Sequence, residues 1–404
     1  MQQPPPLRLL LKRKFEQGPP PPFGVLPQQV GGGAHCESFP NLLGKCPEGD
    51  GGLFPHMTHP PIIDGHNDVL LRLWLKKSAR AAEDFVLGDG LGHMDFPRIK
   101  AGRMAGGFFA IFSPSQADYH NDDDDLNPPY DSGVAQQAAL ASATGMLDLR
   151  DRIVALAAGD VVLCETAADM RAAMAAGKMV WITHIEGAEA IAPDLSNLQA
   201  LYDRGLRSIG PVWSRVNAFG EGVPFRFPSS PDTGGGLTEA GKALVRECNR
   251  LRVMIDVSHL NERGFWDVAA LSSAPIVATH SNAHELSASS RNLTNEQLLA
   301  IRESGGMVGL NYATGFLRGD GRWDSLTDVG VMVRHVEHLV RYAGEDSVGL
   351  GSDFDGARIP SVIGNVTGVA KLLDALVAAG FAARLVEKIA QGNWLRVLAR
   401  TWGR

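Results

Sequence analysis

The stretch PPIIDGHNDVL, residues 60–70, passes from apolar to polar within a few positions, and its reading decides how the rest of the chain is interpreted. The apolar part has the composition of a buried strand, and in a strand residues i and i+2 project from one face. His66 and Asp68 therefore point the same way from the C-terminal end of that strand. An imidazole beside a carboxylate is a donor pair suited to a borderline divalent ion such as zinc. One His-x-Asp among twelve histidines carries little weight alone, since such pairs are commonly just hydrogen-bonded to each other. What gives it force is recurrence: apolar runs ending in a ligand-type residue continue down the chain.

After the first strand, the spacing of apolar residues predicts a helix around 69–79, a strand over 106–112 and an alanine-rich helix over 134–158. A third strand at 179–183 runs into His184 and Glu186, and a helix at 197–204 precedes a fourth strand at 207–213. The helix at 237–251 opens on Thr238 as a cap. Strands at 252–257 and 275–279 lead to His259 and His280, and those at 307–311 and 347–353 complete the series, the last ending on Asp353. Eight strands separated by helices is the count of an α/β chain folded as a (β/α)8 TIM barrel. An open doubly wound sheet would bring a glycine-rich phosphate loop after strand one, and DGHND is not one.

Composition sets the outer limits. Of 404 residues, 44% are hydrophobic and 21% charged, as in ordinary globular proteins. A net charge of -7 without a basic stripe excludes a nucleic-acid footprint and leaves a small-molecule substrate as the default. Cys36, Cys46, Cys164 and Cys248 are too few and scattered for a disulfide framework. Residues 1–58 hold eleven of the 24 prolines, too little apolar surface to offset ordering entropy, so they read as a disordered proline- and glycine-rich extension. The single folded domain is then 59–404. A secretory leader would place a longer apolar run before a small-residue cleavage site, and no stretch approaches a membrane span, so the expected location is cytoplasmic. The run Asp122 to Asp125 lacks the alternation of a calcium loop and reads as solvated. Phe225, Phe227 and the prolines of 224–231 read as a long loop covering the mouth.

In a barrel, strand C-termini converge on one face, so His66, Asp68, Glu186, His259, His280 and Asp353 are expected to meet. The stretches DGHNDVL (64–70), IEGAEAI (185–191), IDVSHL (255–260), THSNAHELSASSRN (279–292) and GLGSDFDG (349–356) carry a resemblance, over roughly 60–398, to the membrane (renal) dipeptidase family of binuclear zinc peptidases, as a bacterial-like member. The resemblance implies a barrel of the metal-dependent hydrolase type with two Zn2+ per chain. His66 and Asp68 would bind one ion, His259 and His280 the other, and Glu186 would bridge them. Arg291 matches the arginine that holds the substrate carboxylate, and Asp353 the acid that handles protons. Tolerance of a D-residue in second position and a homodimer are further implications.

Two such ions about 3.5–4 Å apart make a bridging hydroxide available at neutral pH, which attacks the peptide carbonyl. Asp353 would take the water's proton and pass it to the leaving amine, and Arg291 would grip a free carboxylate, the logic of a dipeptidase. Where eukaryotic members of that family carry a substrate-contacting histidine, this chain has Trp213, a donor-only indole, with Arg215 or Asn217 as other sources of a donor. His184 shares a strand face with Glu186, as ligand or as support for one. The rivals are an amidohydrolase of N-acyl amino acids using the same metals, and a non-catalytic barrel with a proline-rich binding tail.

Overall fold

The computed structural model describes residues 59–115 and 133–403. The readings of the proline-rich extension, of Cys36 and Cys46, and of Asp122 to Asp125 lie outside them. Among the described residues nine parallel strands appear: β1 (Ile62–Asn67), β2 (Met104–Phe112), β3 (Val161–Leu163), β4 (Met179–Glu186), β5 (Leu206–Gly210), β6 (Met254–Ile255), β7 (Val277–Ala278), β8 (Met307–Leu310) and β9 (Val348–Leu350). Eight of them follow one another in the order β6-β5-β4-β2-β1-β9-β8-β7, and a parallel bridge between Asp256 and Val277 links the two ends. That closure makes the (β/α)8 barrel. The strand unforeseen in the sequence, β3, pairs only with β4 and stands off the barrel path.

Strand lengths explain where sequence boundaries differ from structural ones. β2 and β4 keep a long register, with seven consecutive pairs from Gly106–Val180 to Phe112–Glu186, while the pairing of β1 with β2 shifts register twice. β6 and β7 are reduced to two residues each because the chain leaves the sheet early to place the residues that follow. The predicted fourth strand likewise stops at Gly210, so Trp213 stands in the loop beyond it. Helix starts follow their caps: the Thr238 hydroxyl accepts from Gly241 N, and the helix runs Glu239–Leu251.

The barrel interior is filled by Ile63, Phe108, Val180, Ile182, Met254, Val277 and Met307, together with Trp394, Val397 and Leu398 of the last helix, Asn393–Trp402. Trp394 reaches in from that helix: its indole N–H donates to Leu350 O at 3.0 Å, and its ring centroid lies 4.9 Å from that of Phe108. Chain packing is so close there that a Cβ on Gly65 would fall 2.4 Å from Thr279 O, which requires glycine between Asp64 and His66. Cys164 and Cys248 are free, buried thiols, which burial pushes up to about 12.

His335 lies outside the barrel mouth and fastens the segment that follows β7. Its Nδ1 accepts from Ala283 N (3.2 Å) and its Nε2 donates to Leu317 O (2.9 Å), so the ring is neutral. Burial pushes its pKa down to about 4 from an ordinary 6.5. The unfolded chain, with the ordinary value, binds the proton first. The stability contribution is therefore complete above pH 6.5 and is lost as pH falls from 6.5 through 4, by about 3 kcal/mol in all. Urea unfolding of His335→Gln across that range should show a flatter pH dependence than the parent chain. An identical slope would remove His335 from the acid response.

Candidate metal centre

Each ligand-type residue stands at the C-terminal end of a barrel strand. His66 is the penultimate residue of β1, and Asp68 comes one position after its end. Glu186 is the last residue of β4, and His259, His280 and Asp353 follow β6, β7 and β9 within four residues. His259 (φ 67°) and Asp353 (φ 61°) adopt the left-handed backbone region, uncommon for side-chain-bearing residues and a form of strain that gathers at functional sites.

Glu186 is the centre. Its Oε1 lies 2.9 Å from His259 Nε2, 3.3 Å from His280 Nε2 and 3.5 Å from His66 Nε2. Asp68 Oδ2 is 3.3 Å from His66 Nε2, and the two ring nitrogens of His259 and His280 are 3.0 Å apart. Two triads result, His66–Asp68–Glu186 and Glu186–His259–His280, with the glutamate common to both. A third, His66–His280–Asp353, brings in the acid after β9. Gly356 permits the approach, since a Cβ there would fall 2.1 Å from Asp68 Oδ2.

These residues fit a cation. Both ring nitrogens of His66 and Oδ1 of Asp68 are buried without a hydrogen-bond partner. Buried carboxylates crowd the same volume: burial first, with Asp68 and Asp353 adding and His66 and Arg291 opposing, raises Glu186 well above the ordinary carboxylate range. Burial likewise raises Asp353, with Asp68 adding to the shift. Burial works against charge on His66, but Glu186 and Asp68 outweigh it and push the imidazole up to about 10. The pocket thus stabilises positive charge at the spot where ligand atoms converge. His259 and His280 are pushed well down, by burial and then by Arg291 and His66, which keeps them neutral with lone pairs to give. Imidazole nitrogen and carboxylate oxygen without thiolate is a donor set that zinc accepts.

Supporting groups that the sequence reading missed fix the rings. Ser214 Oγ is 2.7 Å from His259 Nδ1, and Asn311 Nδ2 donates to Asp353 Oδ2 at 2.9 Å. His184, buried and held at Nδ1 by Ser208 Oγ (2.9 Å), is not in either triad built on Glu186.

Arg291 is 3% exposed. Nη1 donates to Ser281 Oγ and Nη2 to His280 O, both at 2.9 Å, while the buried Nε has no partner. Burial lowers the guanidinium to about 10, still charged at neutral pH. Trp213 forms part of an aromatic wall: its ring lies 5.0 Å from Phe112, 5.5 Å from Phe225 and 5.8 Å from His259. Asn217 turns inward on its own loop, donating to Pro211 O and accepting from Phe219 N. Arg215 pairs with Glu189 at 2.7 Å and donates to Ser113 O. The covering loop is fastened to the Arg291 loop, with Ser229 N donating to Ala288 O and Ser290 N to Arg226 O.

Comparison with known proteins bears on the family and the fold. The family model for membrane dipeptidase, peptidase family M19, matches residues 55–402. A solved dipeptidase described as a metallopeptidase of family M19 superposes with TM-score 0.82 and 51% identity, over 85% of this chain and 99% of its own. A metallopeptidase from Rhodobacter sphaeroides, solved with a phosphinate mimic of L-Ala-D-Ala, gives TM-score 0.81 and 50% identity over 85% and 100%. An uncharacterised protein from the pqqA 5′ region of Klebsiella pneumoniae is 47% identical over 256 residues, 63% of this chain and 94% of its own.

Because Glu186 belongs to both triads, Glu186→Gln should reduce bound metal more than Asp68→Asn, which touches one triad alone. Elemental analysis after dialysis reads the difference, and full metal content in Glu186→Gln would disprove the sharing.

Proposed function

The chain belongs to the membrane dipeptidase family, peptidase family M19, and from that premise we propose that it is a binuclear zinc dipeptidase cleaving dipeptides with a free carboxylate, L-Xaa-D-Xaa among them. The observation that carries this reading is the single oxygen of Glu186 lying within 3.5 Å of three histidine nitrogens. His66 and Asp68 would hold one ion and His259 and His280 the other, with Glu186 serving both. When bound, the ions would supply Lewis acidity that polarises a peptide carbonyl and eases loss of a proton from the attacking water.

The chain's own groups do the rest. Asn311 occupies Oδ2 of Asp353 and holds the carboxylate beside His66 and His280, leaving Oδ1 to take a proton and deliver it to the departing amine. Arg291 is held rigid at two nitrogens and keeps a buried donor, Nε, unspent. A free C-terminal carboxylate satisfies that donor and the charge together. Trp213, Phe225 and Phe316 stand in a row, with ring centroids 5.5 and 5.3 Å apart in succession, and the Arg291 guanidinium lies 5.8 Å from the Phe316 ring. They form an apolar flank for a substrate side chain and exclude water from it. The Rhodobacter sphaeroides relative's L-Ala-D-Ala mimic supports a D-residue on the carboxylate side. Among the described residues no helix is long and apolar enough to cross a membrane.

Purified enzyme should carry about two zinc ions per chain. It should cleave L-Ala-L-Ala and L-Ala-D-Ala, lose activity to a chelator and regain it with zinc. N-acetylated dipeptides should be poor substrates, and equal turnover of them would favour the amidohydrolase instead. Arg291→Lys should raise KM for dipeptides by about 10- to 100-fold, the worth of a charged hydrogen-bonded contact, while zinc content holds. An unchanged KM would separate Arg291 from the substrate carboxylate.

A further inference from the structure

Behind the ligand cluster lies a second group of buried polar atoms that the mechanism does not use. One ligand atom each of His66, His184 and Asp256 lie within 4.8 Å of one another, and all three side chains are at most 1% exposed. His184 Nε2 is 3.6 Å from Asp256 Oδ2, too far for a direct hydrogen bond, and has no partner. His66 Nδ1 has none either, and it is the ring nitrogen left over for this group, since Nε2 faces Asp68 and Glu186. An unpaired buried polar atom costs about 1–3 kcal/mol, so two in one place call for an occupant.

The spacing suits one water. Two groups that hydrogen-bond the same water stand up to about 5.6 Å apart, twice an ordinary bond, and buried waters typically make about three bonds. A third metal ion suits the place poorly, because His66 would have to ligate through both ring nitrogens.

Asp256 connects this place to the other metal position. Its Oδ1 accepts from Ser258 N and Thr279 N, both at 2.9 Å, and its Oδ2 accepts from Thr279 Oγ1 at 2.5 Å. That hydroxyl oxygen lies 2.7 Å from His280 Nδ1. The Thr279 proton is directed to the carboxylate, so the oxygen accepts from the His280 Nδ1–H. The bare Nε2 then faces Glu186. We propose that Asp256 is one anchor for both metal positions: it aims His280 through the Thr279 hydroxyl, and His66 through a buried water that His184 helps to hold. A carboxylate behind a ligating histidine fixes the ring's tautomer and orientation, and losing it costs about 10- to 100-fold in metal affinity. Asp256 and His184 are positioning residues. The proposal rests on the two-zinc reading and deepens it.

The test is zinc affinity by chelator competition, with zinc content by elemental analysis, on the full chain and on Thr279→Val, His184→Phe and Asp256→Asn. Circular dichroism and the metal-free thermal midpoint check the fold. Thr279→Val should weaken one of the two ions by about 10- to 100-fold, His184→Phe the other, and Asp256→Asn both. If Asp256→Asn does not fold, the first two variants still decide. Parent-like affinity for both ions in Thr279→Val and His184→Phe overturns the proposal, as does a folded Asp256→Asn weakened at one position alone. A parent chain that takes up no zinc fails the two-zinc reading itself, a result separate from indifferent variants of a zinc-loaded parent.

Discussion

Burying several carboxylates beside several imidazoles is unfavourable unless positive charge is placed among them, and this requirement organises the mouth of the barrel. Glu186, Asp68 and Asp353 would repel one another at such separations, and His259 and His280 turn lone pairs toward the same point. The chain's internal answer is to raise Glu186 and charge His66; a divalent ion meets the same need more completely. Support from Ser214, Asn311 and Thr279 then has a clear physical purpose, since a donor atom displaced by a fraction of an ångström no longer converges.

The fold supplies that convergence through the shortness of β6 and β7. By leaving the sheet after two residues, the chain gains the freedom to turn His259 through a left-handed backbone conformation and to bring His280 beside it. The same early exit leaves Asp256 to complete the barrel with its backbone, pairing with Val277, while its side chain gathers Ser258 and Thr279. Closure of the sheet and orientation of the site are thus achieved at one residue.

Much of this was legible in the sequence, for identifiable reasons. β2 and β4 are long, largely apolar and paired over seven consecutive positions, and β1 opens on an apolar run, so these stood out, and the ligand-type residues betray themselves by ending such runs. β3 was not legible: three residues with only Val161 fully buried make no pattern. Nor were the supporting groups, for serine, threonine and asparagine are common everywhere, and Asn311 acts on a residue 42 positions away. Asn217 shows the converse. Its residue type suggested a donor toward substrate, but its amide is spent on Pro211 and Phe219, a local loop bond that residue type alone does not reveal. Trp213 stood out as a substitution in a family pattern, and the structure sets it in an aromatic wall against His259.

The stitching of residues 226–229 to residues 288–290 has a consequence for chain length in the substrate. The loop that carries Arg291 is held from the facing segment by backbone hydrogen bonds in both directions, which resists its drifting outward. The separation between guanidinium and glutamate is then a fixed gauge, set by two loops braced against each other. Under the proposal that Arg291 receives the terminal carboxylate, a molecule with one residue too many beyond the scissile bond would overshoot the gauge, and discrimination by length would need no moving part.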